Sequence, residues 1–200
     1  MKKFLSALFA AGMVASGADA SVVGGTVTFG PGSFVELDST VPMTIGQDNF
    51  DTPDLYALNE LQDYTLGVDL VIDGGVIGAG TKVSSHYVGF DPLFWSRQSG
   101  SVSFSGKILG VISTTATLLT SDFLGAPAVS YTAVWERGLE SDSDKYSISD
   151  KTVDVSWWAS TPGDYMRVIT AAAVPVPAGG LLLVGALGSL AAVRRRRKSA

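Results

Sequence analysis

Through the middle of the chain, apolar and polar residues alternate with a period of two. Tyr64, Leu66, Val68, Leu70 and Ile72 share one face of a stretch that ends at the turn residues Asp73-Gly74-Gly75. Val102 and Phe104 alternate with serines, and an apolar run continues from Ile108 to Leu119. Val129, Tyr131, Ala133 and Trp135 form another face, and Val153, Val155 and Trp157 form one more, opposed by Asp154, Ser156 and Trp158. Such spacing puts alternate side chains on opposite sides of a pleated strand with one side buried. Thr161-Pro162-Gly163-Asp164 reads as a turn, because proline presets φ and glycine takes a positive φ freely. Tyr165 to Thr170 follows as a last strand. Helical signals are few. Thr52-Pro53-Asp54 reads as an N-cap and first turn ahead of Leu55, Leu58 and Leu61. Leu118 to Leu124, stopped by Gly125 and Pro127, reads as a short helix. No repeat of solenoid or propeller length is present. Short strands at fairly even spacing predict an all-β fold, an antiparallel β-sandwich or jelly-roll-like domain.

The two ends follow different patterns. Met1-Lys2-Lys3 precedes an apolar stretch from Phe4 to Ala15, and Ala18-Asp19-Ala20 stands ahead of Ser21. A basic start, a short apolar region and an Ala-x-Ala site are the parts of a secretory signal helix, here residues 1–20, cut between Ala20 and Ser21. At the other end, residues 171–177 form an Ala/Pro linker, and residues 178–193 carry no charge before Arg194, Arg195, Arg196, Arg197 and Lys198. A helix over 178–193 rises about 24 Å at 1.5 Å per residue, short of the roughly 20 residues that span a bilayer comfortably. Arginine stems that reach outward recover some length. The basic tail, 194–200, is expected to stay cytoplasmic, with everything upstream outside. Residues 21–170 remain as the exported ectodomain between a signal helix and a transmembrane helix.

Val174-Pro175-Val176-Pro177-Ala178, the Gly/Leu/Ala-rich segment and the terminal arginine cluster together resemble the PEP-CTERM class of C-terminal sorting signals, in its Val-Pro-Leu-Pro-Ala variant. Val176 stands where that variant has Leu and the archetype has Glu. The resemblance implies a transient membrane anchor, recognition by a membrane-embedded exosortase, cleavage near the motif, and delivery to the cell surface or extracellular matrix. Val83 to Pro92, Gly106 to Ile112, Arg137 to Glu140 and Thr161 to Thr170 resemble segments of uncharacterised exported bacterial proteins that end in the same tail. That second resemblance covers about half of the mature region and implies no catalytic residues.

Composition narrows the middle further. The net charge of −5 conceals an asymmetry, because Lys2, Lys3 and the Arg194–Lys198 cluster hold seven of the fourteen basic residues. Between Ser21 and Val193, seven basic residues face eighteen acidic ones, a net charge of −11. An acidic domain without a basic stripe argues against nucleic acid as a partner. The chain has no cysteine, which excludes disulfides, thiol nucleophiles and Cys-ligated metals. A single histidine, His86, leaves little room for a His-rich metal site or a catalytic triad.

Candidate chemistry lies in four places. Glu140, Asp142 and Asp144 alternate along a loop and offer oxygens to Ca²⁺, which takes six to eight, although a solvated acidic turn has the same pattern. Asp48, Asp51 and Asp54 form a second such cluster, where Thr52-Pro53 equally suits a helix cap. His86 with Asp91 has the elements of a general base, without a nucleophile motif beside it. Trp157 and Trp158 are adjacent, so in a strand one faces away from the core. An outward Trp158, and Trp95, are candidate platforms for sugar rings, or pack beneath a loop. No pair of carboxylates is singled out for glycoside hydrolysis. These readings order three expectations: a non-catalytic cell-surface or matrix protein; a polysaccharide-binding module assisted by Ca²⁺, with exopolysaccharide as partner; and an exported hydrolase. Apart from Ca²⁺, no cofactor is expected.

Overall fold

The computed structural model describes residues 20–46, 50–132, 137–140 and 143–173. In chain order the strands are β1 (Val22–Phe29), β2 (Phe34–Leu37), β3 (Met43–Ile45), β4 (Leu55–Asn59), β5 (Tyr64–Thr65), β6 (Leu70–Ile72), β7 (Gly75–Ile77), β8 (Lys82–Phe90), β9 (Ser96–Phe104) and β10 (Ile108–Ile112). A short helix α1 (Thr115–Thr120) and a 3₁₀ turn (Asp122–Leu124) follow. Four strands complete the chain: β11 (Val129–Tyr131), β12 (Lys145–Ser149), β13 (Thr152–Ala159) and β14 (Asp164–Ala171). The fold is predominantly β, and its two large sheets are mostly antiparallel.

One sheet has the order β1-β9-β13-β12, the other β10-β14-β8-β4-β2 with β5 also paired to β8 as its sixth strand. Their facing sides share one core. Val102 and Phe104 of β9 and Val153, Val155 and Trp157 of β13 meet Leu55 and Ala57 of β4, Val88 and Phe90 of β8, and Met166 and Val168 of β14. The predicted faces of β9 and β13 therefore hold, with Trp157 buried and Trp158 turned out. Strands β8 and β14 depart from simple alternation because both of their faces are covered. Their odd-numbered side chains, Tyr87, Tyr165 and Ile169, join a second core with Ile45, Leu58, Ile112, Leu118, Leu124 and Val129. That core is roofed by α1, the 3₁₀ turn and the β3–β11 and β6–β7 pairs.

Several expectations give way to this second layer. Thr52 to Leu61 is not helical. Leu55 to Asn59 form β4, antiparallel to β8 and parallel to β2. Four consecutive buried residues, Leu55 to Leu58, fill the cores on both sides of the sheet. Spaced leucines suit a two-faced strand as well as one helical stripe. The Tyr64–Ile72 stretch is likewise two short strands. Leu66 and Leu70 are buried, but Val68 lies at a bend and is 65 % exposed. The run expected to continue to Leu119 ends at Ile112, and α1 begins at Thr115. The short helix expected over 118–124 is present as α1 plus the 3₁₀ turn, with Thr114 Oγ1 accepting from the Thr117 amide as N-cap. Val129 and Tyr131 lie in a strand as expected, while Ala133 and Trp135 lie outside the described residues. No helix among the described residues is long and apolar enough to cross a membrane. The segments 1–19 and 174–200, on which the expected signal helix, sorting motif, transmembrane helix and basic tail fall, lie outside the described residues.

A six-residue helix has too few internal bonds to persist alone, so its support is tertiary. Arg167, at the centre of β14, points into the second core and is fully buried. Its Nε and Nη2 donate to Glu60 Oε2 and Oε1 at 2.6 and 2.8 Å. Its Nη1 donates to Ser121 Oγ at 2.5 Å and to the Leu118 carbonyl at 3.2 Å, closing the C-terminal end of α1. The guanidinium sits 5.1 Å from the Tyr87 ring centre and 5.4 Å from that of Tyr131. Burial opposes the charge, but the Glu60 carboxylate outweighs it and holds Arg167 protonated more firmly than usual. Asp122 joins from the 3₁₀ turn, accepting from Arg167 at 3.2 Å and bidentately from buried Arg137 at 2.9 Å.

Removing one partner of a buried ion pair leaves an uncompensated charge and costs about 3–5 kcal/mol, whereas replacing both with apolar groups costs far less. Arg167→Met is thus expected to lower stability in urea unfolding by about that amount. Glu60→Met with Arg167→Met should be less destabilised than Arg167→Met alone. A double variant worse than either single one would contradict this account of the second core.

Candidate functional site

The end of β13 is where the sequence candidates meet. Trp158 pairs with Arg97 and Ala159 with Ser96 across the β9–β13 ladder, so Trp95, one residue before β9, lies beside Trp158. On the other flank, β12 begins opposite Ser156, which sets Asp144 next to the β13 backbone. Asp144 Oδ1 accepts from the Trp158 amide at 2.8 Å, and its Oδ2 accepts from the Glu140 amide at 3.1 Å and from Ser143 Oγ at 3.0 Å. One carboxylate thus fastens the acidic loop to the strand that carries Trp158.

Beyond Ala159 the chain turns through Ser160-Thr161-Pro162-Gly163 and crosses from the four-stranded to the six-stranded sheet. Gly163 has φ +84°, and a Cβ there would run into Asp91, so this turn needs glycine. The turn delivers Asp164, the first residue of β14, beneath Glu140 and Asp144. One oxygen from each of the three carboxylates lies within 4.8 Å of the other two. Trp95, Trp158, Glu140, the turn and Asp164 line a cavity of about 280 Å³. Trp95 is 73 % exposed and Trp158 52 % exposed, so both rings stand at its mouth with open faces. The volume is at the lower end for ligand pockets and suits one or two sugar rings rather than a buried cofactor.

Electrostatics set the floor apart from the rim. Asp164 is only 3 % exposed, and its Oδ2 has no hydrogen-bond partner. Burial, with the negative charges of Asp144 and Glu140, pushes its pKa up to about 9. Glu140 is also raised, first by partial burial and then by Asp144. Among the described residues, no lysine or arginine forms a salt bridge with any of the three.

The structure brings together Glu140, Asp144, Trp95 and Trp158 from the predicted candidates. Asp142 lies outside the described residues. Asp164 was missed, and the only trace of it in the sequence is an acid at the start of a strand that is otherwise buried. The second acidic cluster does not assemble in the same way. Asp48 lies outside the described residues, and Asp54 accepts from the Ser33 amide and hydroxyl at 2.7 and 3.0 Å, tying the loop ahead of β2 to β4. His86 is not placed as a general base. Its Nδ1 meets Asn59 Oδ1 at 2.9 Å and its Nε2 meets Thr170 Oγ1 at 3.0 Å, while the ring packs on Phe104. Burial lowers its pKa to about 3, so it stays neutral. Asp91 is engaged elsewhere, accepting from the Phe50 amide. Ala20 is buried, and Ser21 exchanges hydrogen bonds with Ser105, donating to its hydroxyl at 2.8 Å and accepting from its amide at 2.9 Å.

These two buried groups give opposite pH dependences. His86 titrates near 6.5 when unfolded and near 3 when folded. The unfolded chain then holds the extra proton, and stability falls as pH drops through that window. Asp164 titrates near 3.8 unfolded and near 9 folded. Here the folded chain holds the extra proton, and stability falls as pH rises through its window. From about pH 4 to 6.5 the two slopes cancel. Above 6.5 that of Asp164 stands alone, at up to about 1.4 kcal/mol per pH unit. Urea unfolding in chelator should show the loss between pH 6.5 and 9, and Asp164→Asn should flatten it. An unchanged slope in that variant would refute the assignment.

Compared with protein-family models, with curated proteins and with solved structures, the chain matches none of them.

Proposed function

We propose that this chain is an exported, non-catalytic surface or matrix protein whose β-sandwich, jelly-roll-like ectodomain binds polysaccharide at the Trp95–Trp158 cavity. The observation that carries the reading is the convergence of two exposed tryptophans, 63 positions apart in sequence, on one pocket with polar walls. Aromatic faces stack on the apolar faces of sugar rings, and the hydroxyls of Ser160 and Thr161 with the Glu140 carboxylate supply polar contacts around them. Two exposed aromatic rings grouped at one pocket offer a surface on which the apolar face of a ligand can dock.

A hydrolase is less well supported. Paired carboxylates that cleave a glycosidic bond stand on either side of it, about 5 Å or more apart. Here Glu140, Asp144 and Asp164 point at one another, and the best-buried of them lies away from solvent.

Location rests on the ends of the chain. The signal-like residues 1–20, the Val174–Ala178 motif, the apolar segment and the Arg194–Lys198 cluster support export, a transient membrane anchor and processing by an exosortase-type enzyme.

Trp158→Ala and Trp95→Ala are each expected to weaken binding to a responsive polysaccharide roughly tenfold, about 1.4 kcal/mol, in affinity electrophoresis across acidic and neutral glycans. Flat results for the unaltered protein across the panel would count against the site. Fractionation tests location. The full chain should partition with the envelope and a chain lacking 174–200 should not be retained there, whereas full-length protein soluble in the cytoplasm would overturn the export reading.

A further inference from the structure

We propose that Glu140, Asp144 and Asp164 form a site for a divalent cation of calcium's size at the floor of the Trp95–Trp158 cavity. The inference deepens the glycan reading by naming what sits beneath the sugar, but it stands on different atoms.

Three elements supply the ligands: the loop after Arg137, the start of β12 and the start of β14. One oxygen from each lies within 4.8 Å of the others. Two oxygens bound to one Ca²⁺ ion, each about 2.4 Å from it, are at most about 4.8 Å apart, and none of the three separations exceeds that limit. Mg²⁺, with bonds of about 2.0–2.1 Å, demands a tighter set and keeps its waters.

The second observation is independent of the clustering. Asp164 comes from a strand outside the acidic loop, is only 3 % exposed, lines this cavity, and has an Oδ2 with no hydrogen-bond partner. A buried carboxylate oxygen with no donor is costly, and a cation supplies the missing partner. Asp144 cannot neutralise its neighbours, and no lysine or arginine among the described residues is paired with any of the three. Asp144 Oδ2 already accepts from the Glu140 amide and Ser143 Oγ, whereas Oδ1 accepts only from the Trp158 amide and keeps one direction for a cation.

Three carboxylates do not fill six to eight positions. The remaining ones face the open cavity, where water or paired hydroxyls of a sugar complete the sphere. A cation here therefore acts as a bridge between an acidic protein and a polyhydroxylated ligand.

The test uses the full chain stripped with chelator. Added Ca²⁺ at about twenty times its Kd should raise Tm by about 5 °C, with Mg²⁺ doing less. Tb³⁺ should give emission sensitised through Trp158 and Trp95 that Ca²⁺ displaces. Asp164→Asn keeps the shape of the side chain but cannot supply an anionic oxygen; it should fold about as well without metal, yet lose both responses, and Glu140→Gln should weaken them. No Tm rise and no sensitised emission in the unaltered protein would overturn the proposal, as would equal responses in Asp164→Asn. Polysaccharide binding in chelator separates the two readings. Binding that persists without any calcium response rejects the cation and keeps the glycan site. A calcium response without binding to any glycan keeps the cation and rejects the glycan.

Discussion

A charge buried without compensation would unfold this domain, and Arg167 is placed where that danger is greatest. It sits mid-strand in a sheet covered on both faces, where a lone cation is intolerable. Glu60, Asp122, Ser121 and the Leu118 carbonyl gather around it because each comes from a segment that must close over the second core. The ion cluster thereby fixes where α1 and the 3₁₀ turn lie against β14 and β8. Apolar contacts alone would leave such a short roof free to slide. The Arg167 hydrogen bonds have directions, and they choose one position.

The candidate site inherits its rigidity from that arrangement. Asp164 begins the same strand that carries Arg167, so the floor of the cavity is anchored by a strand with seven of its eight residues buried. The rim is anchored differently, through the β9–β13 ladder and the Asp144 bond to the Trp158 amide. Floor and rim belong to different sheets, and the Ser160–Gly163 turn joins them. Sites where a chain leaves one layer for another bring together side chains that no single strand could present. The result is a small polar pocket with aromatic walls at its mouth.

The two central strands of the four-stranded sheet, β9 and β13, were legible in the sequence, because one side is wet and alternation reports it. Trp158 facing outward follows from Trp157 facing inward, and both hold. The six-stranded sheet was less legible for a physical reason. When both faces of a strand are covered, alternation disappears, and Leu55 to Leu58 then read as helical. The second layer also explains why Val68 escapes the pattern, since it lies at the bend between β5, beside β8, and the roof strand β6. Of the site, the acidic loop and the two tryptophans could be named but not joined, because their meeting depends on the β9–β13 and β12–β13 registers. Asp164 carried little signal as an isolated acid after a turn. Arg167 carried more: an arginine within Tyr165 to Thr170, a run otherwise apolar but for its last residue, implies a buried partner. That partner, Glu60, is 107 residues away in sequence.

The central claim is that Trp95, Trp158 and the Ser160–Asp164 turn act together on one ligand. Nitrogen-15 chemical-shift mapping of the labelled full chain during titration with a bound oligosaccharide tests it most directly. The account predicts shifts at the indole N–H groups of Trp95 and Trp158 and at the Ser160, Thr161 and Gly163 amides, with the buried Trp157 indole nearly still. Shifts confined to the shallower depression beside Glu36, Asp38 and Asn59, with both exposed indoles unmoved, would contradict it.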